Sequence, residues 1–218
     1  MDKANIKLIL EEASRMFKPH PWHGIDVWDD QENNILNVYI EIVPDDTVKY
    51  ELDKKTGYLR VDRPQKFSNI IPALYGFVPK TYSGDLSAKH TNEVTNRTDL
   101  VGDQDPLDIC ILTEKHIKHG DLLLGAIPIG GFRMIDHGEV DDKIIAVLKN
   151  DAVYGNIKDV INCPESILAR LKHYFLTYKQ IPGTNEKAKC EITHLYGREE
   201  AMNIINLSMM DYNNKFGL

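Results

Sequence analysis

Apolar and polar positions change period several times along the chain. Near its start Ile6, Ile9, Leu10, Ala13 and Phe17 recur at helical spacing, which predicts a helix over residues 3–17. Pro19 and Pro21 in KPHPWHG then break it. From Leu36 to Val43 the sequence LNVYIEIV is almost continuously apolar and β-branched, as a buried strand requires. VKYELD (48–53) alternates, with Val48, Tyr50 and Leu52 on one side and Lys49 and Glu51 on the other. The turn KKTG and YLRVDR (58–63) complete a predicted hairpin. FSNIIPALYGFVP (67–79) is apolar but interrupted by Pro72. Residues 81–102 are polar and read as a long excursion, mobile unless a partner subunit holds it.

Further strands are predicted at ICIL (109–112), LLLGAIPIGGFRMI (122–135), KIIAVL (143–148) and CEITHLYG (190–197). A helix begins near Pro164, with Ile167, Leu168, Leu171, Tyr174, Phe175 and Tyr178 as its apolar stripe. A last helix, 198–213, turns Ala201, Ile205 and Tyr212 inward. No repeat or linker divides the pattern. One α+β domain over 1–218 follows, with mainly antiparallel strands closed into a barrel and helices packed outside.

Composition narrows the partners rather than the fold. A net charge of −7 disfavours broad binding to nucleic acid or to an anionic membrane. Cys110, Cys163 and Cys190 are too few and too widely spaced for a disulfide framework or a CxxC zinc site, which suits a reducing compartment. MDKANIKLILEEASR lacks a signal-peptide pattern, and no segment approaches ~18 consecutive apolar residues. A cytoplasmic protein is expected.

Chemistry is concentrated in GDQDPLDICIL (102–112). Asp103, Asp105 and Asp108 crowd the entrance to an apolar strand. Desolvating such carboxylates costs several kcal/mol each unless a cation compensates. A solvated turn around Pro106 is one explanation; a bound cation is the other. An EF-hand loop fits poorly, because Leu107 takes a ligand position and Asp108 the place of the required glycine. Asp136 and the pair Asp141-Asp142 flank another loop, and Glu41 interrupts an apolar strand. Oxygen ligands gathered from several strand ends suit hard cations, magnesium above all. Lys49, Arg63 and Lys143 are interleaved with them. Paired across strands they would only brace a sheet; taken together they suit a metal complex of a phosphate polyanion.

The sequence resembles the soluble family I inorganic pyrophosphatases. DQDPLDI (103–109) matches their signature, and the likeness runs from about Tyr39 to Lys179. It includes IEI (40–42), VKYELDKKTGYLRVDR (48–63), PALYGF (72–77), D-x-x-x-x-D-D-K (136–143), GNIKDV (155–160) and HYFLTYK (173–179), in the same order. The resemblance implies hydrolysis of pyrophosphate to two orthophosphates with several Mg2+ ions. It also implies an OB-like five-stranded antiparallel β-barrel with flanking α-helices, and a homo-oligomer. An N-terminal helical extension (about 1–25) and an insertion (about 81–102) would then be additions to a single pyrophosphatase-like domain.

Position by position, the resemblance implies that Asp103, Asp108 and Asp141 bind the two metals holding the nucleophilic water. Asp105 would be its general base. Asp136 with Asp141 would take a further ion, and Glu41 would act through metal-bound water. Lys49, Arg63, Tyr178 and Lys179 would hold phosphate oxygens, Tyr75 would orient Asp105 or substrate, and Lys143 and Glu51 would complete the ion network. Tyr178 also falls on the apolar stripe of its helix, where a core tyrosine is the plainer reading. The chain departs from the pattern at Ile71, where many relatives carry a tyrosine, so one hydroxyl near the leaving phosphate is expected to be absent. His20 and His23, separated by Pro21, are read as packing residues.

Overall fold

The computed structural model describes residue 9 and residues 16–66, 68–179 and 190–217. Its strands are β1 (Trp28–Asp30), β2 (Ile35–Ile42), β3 (Val48–Leu52), β4 (Leu59–Pro64), β5 (Leu74–Phe77), β6 (Val101–Gly102), β7 (Asp108–Leu112), β8 (Leu122–Asp136), β9 (Glu139–Val140), β10 (Lys143–Leu148) and β11 (Cys190–Gly197). The helices are α1 (Asp85–Thr95), α2 (Glu165–Thr177) and α3 (Arg198–Phe216).

β2, β5, β7, β10 and β8 follow one another around a five-stranded barrel, which closes where β8 returns to β2. Closure leaves these strands no free edge. Four of the five pairings are antiparallel, as expected; β7 and β10 run parallel. That parallel pair matters for the site, because it starts Asp108 and Lys143 side by side in register. β8 is long enough to serve four neighbours, β2, β10, β11 and β9. At the β2–β5 crossing a side chain on Gly76 would lie 1.8 Å from the Tyr39 carbonyl, so only glycine permits the approach.

After their first residues, Asp108 and Lys143, strands β7 and β10 are apolar because both faces are covered. Ile109, Ile111, Ile144 and Ala146 join a core with Leu36, Val38 and Ile40 of β2 and Ala201, Ile204 and Ile205 of α3. The alternate residues Cys110, Leu112, Ile145 and Val147 join a second core with Leu171, Tyr174 and Phe175 of α2. Each large apolar side chain buried this way contributes roughly 1.5–3 kcal/mol. The β3–β4 hairpin stands apart as its own two-stranded sheet.

Several expectations change. Residues 81–102 are not one long loop: they contain α1, with Ser87, Ala88 and Thr91 buried. Buried Asp211 of α3 accepts hydrogen bonds from the Gly84, Leu86 and Ser87 amides and the Ser87 hydroxyl, satisfying donors that a helix start leaves open. Among the described residues of the apolar stretch 67–79 only Leu74–Phe77 is strand. Ile6, Leu10 and Ala13 of the predicted N-terminal helix lie outside the described residues, while Ile9 and Phe17 are exposed rather than packed. Among the described residues no helix is long and apolar enough to cross a membrane.

Candidate active site

The mouth of the barrel opens into a cavity of about 260 Å³. Neighbouring elements each deliver charge to it. β2 supplies Glu41, β3 supplies Lys49 and Glu51, and the turn after β3 supplies Lys54. Tyr75 comes from β5, and Asp103 and Asp105 from the loop between β6 and β7. Asp108 and Lys143 are the first residues of β7 and β10, Asp136 is the last of β8, and Asp141 lies between β9 and β10. Tyr178 and Lys179 follow α2.

At the centre stands the buried ammonium of Lys143. It donates to Asp108 Oδ2 and to Asp141 Oδ1, and the Tyr75 hydroxyl donates to the same Asp108 oxygen. Burial opposes the Lys143 charge, but Asp108 and Asp141 outweigh it and hold the group protonated, well above the ordinary lysine range. On the hairpin side Lys49 Nζ bonds Glu51 Oε2 at 2.9 Å and approaches Asp62 Oδ2 at 3.2 Å. On the far side Lys179 pairs with Asp136, which also accepts from Cys190 Sγ at 3.0 Å. Burial works against the Asp136 charge, but Lys179, Cys190 and His137 overcome it and hold the carboxyl at about 2.

The aspartate loop is shaped by its own hydrogen bonds. Asp105 N donates to Asp103 Oδ1 at 3.0 Å, and Gln104 between them takes the left-handed conformation at φ 66°. Ser83, buried just before α1, anchors the loop from behind: its amide donates to the Asp105 carbonyl at 2.9 Å and its hydroxyl to Val140 O at 3.0 Å. The segment read as an insertion therefore supports the loop that carries the chemistry.

Negative charge exceeds positive in this cavity. Eight carboxylates line it (Glu41, Glu51, Asp103, Asp105, Asp108, Asp136, Glu139 and Asp141) against four ammonium groups (Lys49, Lys54, Lys143 and Lys179). Burial, with Asp141 and Asp108 pressing in the same direction, pushes the Asp103 carboxyl up to about 9. Glu41 is buried, accepts from Leu52 N at 2.7 Å, and is pushed up to about 8, chiefly by burial with added repulsion from Asp108 and Glu51. Among the described residues no three acidic, histidine or cysteine side chains already close around one point, since Lys143 stands between two of the aspartates. The donor set is nonetheless all oxygen and short of positive charge, which is what a hard divalent cation requires. The residues fit such an ion by charge and by chemistry.

A family model described as inorganic pyrophosphatase matches residues 38–213. The chain belongs to the inorganic pyrophosphatase family. It is 56% identical over 201 residues to an inorganic pyrophosphatase of Chlamydia muridarum, covering 90% of this chain and 95% of that one. It is 34% identical to the soluble inorganic pyrophosphatase PPA1 of Solanum tuberosum, over 95% of this chain and 87% of the relative. The solved structure of the inorganic pyrophosphatase of Helicobacter pylori superposes with a TM-score of 0.69 at 28% identity, over 87% of this chain and 98% of that one.

Most residues that the pyrophosphatase resemblance singled out line the cavity. Tyr75 differs in partner, since its hydroxyl reaches Asp108 and not Asp105. Arg63 is not among the lining residues; its guanidinium lies 6.0 Å from the Tyr178 ring centroid, one layer behind the wall. Tyr178 has both characters foreseen for it, stacked on Tyr174 at 5.1 Å and also lining the cavity. Ile71 is buried in the core shared with α2 and does not line the cavity. Sequence reasoning missed Trp22, Lys54 and Glu139 in the cavity wall, Asp62 beside Lys49, and Ser83 behind the loop. Only Lys54 and Asp62 left a local trace, as charges within the hairpin segment already singled out.

Proposed function

We propose that this cavity hydrolyses pyrophosphate to two orthophosphates with magnesium as the metal, in a cytoplasmic homo-oligomer built from a single domain. The observation that carries the reading is the ring of carboxylates and ammonium groups around one small cavity, in a chain of this family. At about 260 Å³ the space falls below the ~300–1,000 Å³ typical of pockets for drug-sized ligands, which favours a compact substrate. Three buried free cysteines agree with a reducing compartment.

Asp103, Asp108 and Asp141, with Asp136 and Glu41, would hold the ions. Bound there, magnesium would screen the phosphate oxygens and acidify an attacking water. Asp105 takes the proton of that water while its oxygen bonds one phosphorus. The bridging P–O bond breaks, and its electron pair leaves with the second phosphate. Lys49, Lys179 and Tyr178 face the cavity and bind phosphate oxygens, with Arg63 behind Tyr178 adding positive charge. Glu51 and Asp62 hold the Lys49 ammonium in place. Tyr75 and Lys143 fix the Asp108 carboxylate and work as orienting groups. Phosphate release from magnesium pyrophosphate, with and without a chelator, tests the assignment. Release unaffected by chelator would remove the metal from it, and no release with magnesium present would remove the activity.

A further inference from the structure

One cation in the cavity belongs to none of these roles. Lys54 lies on the β3–β4 turn, and its ammonium pairs with Asp105 Oδ1. Every other ammonium group of the cavity is committed elsewhere: Lys49 to Glu51 and Asp62, Lys143 to Asp108 and Asp141, Lys179 to Asp136. Among the described residues Lys54 is the only cationic side chain on Asp105.

The turn that carries Lys54 is held twice. Internally, Asp53 Oδ1 accepts from Thr56 N and Thr56 Oγ1, both at 2.8 Å, and Gly57 takes the left-handed conformation at φ +74°. Externally, it is held by the KPHPWHG segment, which precedes the region matched by the family model. His20 Nε2 lies 3.2 Å from the Lys54 carbonyl. The other ring nitrogen, Nδ1, faces two backbone N–H donors, Trp22 N at 3.2 Å and His23 N at 3.4 Å. An atom meeting two donors must accept, so the proton sits on Nε2, which donates to Lys54 O. Contact is close: a side chain on Gly57 would lie 2.9 Å from His20 Cδ2. The segment is itself tied down, with Trp22 Nε1 donating to Thr81 O at 2.8 Å and His23 Nδ1 lying 2.7 Å from the Tyr212 hydroxyl.

We infer that Lys54 is a positioning residue for the hydrolytic step, its ammonium fixing the Asp105 carboxylate, and that His20 in the N-terminal strap sets the turn from which it acts. The inference rests on the reading of Asp105 as general base. A half-exposed ion pair adds little to fold stability. Its contribution is orientation: with one oxygen engaged by Lys54, the carboxylate is held in the cavity wall. General-base catalysis depends on that geometry, because the base must lie within hydrogen-bond reach of the proton it removes.

The test is a double-mutant cycle on magnesium pyrophosphate hydrolysis, with melting temperature followed in parallel. Lys54→Met keeps the aliphatic stem and removes the charge. It should lower kcat by ~10-fold while KM changes by less than about twofold, since the lost contact serves the reacting base. Lys54→Arg should return kcat to within about threefold of the unsubstituted enzyme. In an Asp105→Asn background, Lys54→Met should change kcat by less than about twofold, because residues acting as a unit are not additive. His20→Asn keeps an acceptor for the strap amides and loses the reach to Lys54. It should lower kcat about threefold, again only when Asp105 is present. Melting temperatures should stay within about 2 °C throughout, because surface substitutions cost little. Equal losses from Lys54→Met with and without Asp105 would overturn the inference, as would an unchanged kcat in Lys54→Met alone. Near-normal turnover in Asp105→Asn would instead overturn the general-base reading on which it stands.

Discussion

Asp141 and Asp142 are consecutive residues in two different electrostatic worlds. Extended backbone sends successive side chains to opposite faces. Asp141 shares the cavity face with Lys143, two residues on. Asp142 points the other way, into a closed cluster: Arg133 Nε lies 3.6 Å from its Oδ2, and the Tyr196 hydroxyl donates to that oxygen at 3.3 Å. Arg133 in turn donates to Glu200 Oε1 at 2.5 Å, and His90 and Asn203 complete the shell around Glu200. Burial raises both aspartates, Asp142 to about 6. On the Asp142 side Arg133 and Tyr196 oppose the rise; on the Asp141 side Lys143 opposes it and Asp108 adds to it. The closed cluster holds its two carboxylates with the Arg133 guanidinium and with donors of the protein itself, sealed from the cavity. In the cavity eight carboxylates face four ammonium groups, and that shortfall of positive charge is what a cationic ligand would fill. A buried ion group closed off by protein partners reads as structure; one open to a cavity with surplus carboxylates reads as function.

Asp105→Asn gives the largest effect expected on the cavity side. Turnover should fall by ~10²–10⁴ while the melting temperature holds, since general-base terms have that size. A steady-state assay beside a thermal melt checks both halves. Nearly unchanged kcat would remove Asp105 from the chemistry.

On the closed side the largest effect should be on stability. Arg133→Met leaves Asp142 buried without its partner, a change that typically costs ~3–5 kcal/mol. For a chain of this size that corresponds to a fall in melting temperature of roughly 10 °C. The residual folded enzyme should keep its KM for magnesium pyrophosphate. A loss of turnover larger than the loss of folded protein would mean that the two faces are coupled.

Why was one side more legible than the other? The cavity residues fall in short segments whose polarity is locally odd: three aspartates before an apolar strand, a glutamate inside one, alternating charges on a hairpin. Each is costly unless a ligand compensates, so the oddity is visible without a structure. The closed cluster leaves a trace that does not name its partners. Arg133 interrupts an apolar strand as Glu41 does, but its partners lie at Asp142 and, much further along, at Glu200. The same holds for α1. Its buried face carries Ser87, Ala88 and Thr91 in place of large apolar residues, and its first turn is capped by Asp211, over a hundred residues away. Polar side chains that are satisfied only at long range look like loop when read locally. Trp22 was missed for that reason too, since its indole Nε1 finds its acceptor at Thr81.

Magnesium should sharpen the comparison further. Saturating a native-state site at about 100 times its Kd adds ~2.7 kcal/mol of stability. Thermal melts from micromolar to millimolar magnesium should rise for the unsubstituted protein and for Asp142→Asn. The same titration should stay nearly flat for Asp141→Asn. An equal rise for both variants would show that the ion does not sit on the Asp141 face.

The smallest effect is expected at Glu200, on the edge of the closed cluster. Burial tends to raise its carboxyl, but hydrogen bonds from His90, Arg133 and Asn203 more than offset this and hold it below the ordinary value of 4.5. A carboxyl whose folded pKa is depressed stabilises the fold above its unfolded pKa. That contribution disappears as pH falls through the folded value. Glu200→Gln should therefore cost ~1 kcal/mol at pH 7, the scale of one net hydrogen bond, and less than Arg133→Met because Arg133 keeps Asp142. Urea denaturation compared at pH 7 and down through the range below 4.5 should show the two proteins converging at acid pH. The response of the melting temperature to magnesium should be the same in both, because Glu200 does not line the cavity. A gap that widened as the pH fell would mean that the Glu200 carboxyl is held in its neutral form, and that the cluster balances its charge through Asp142 alone.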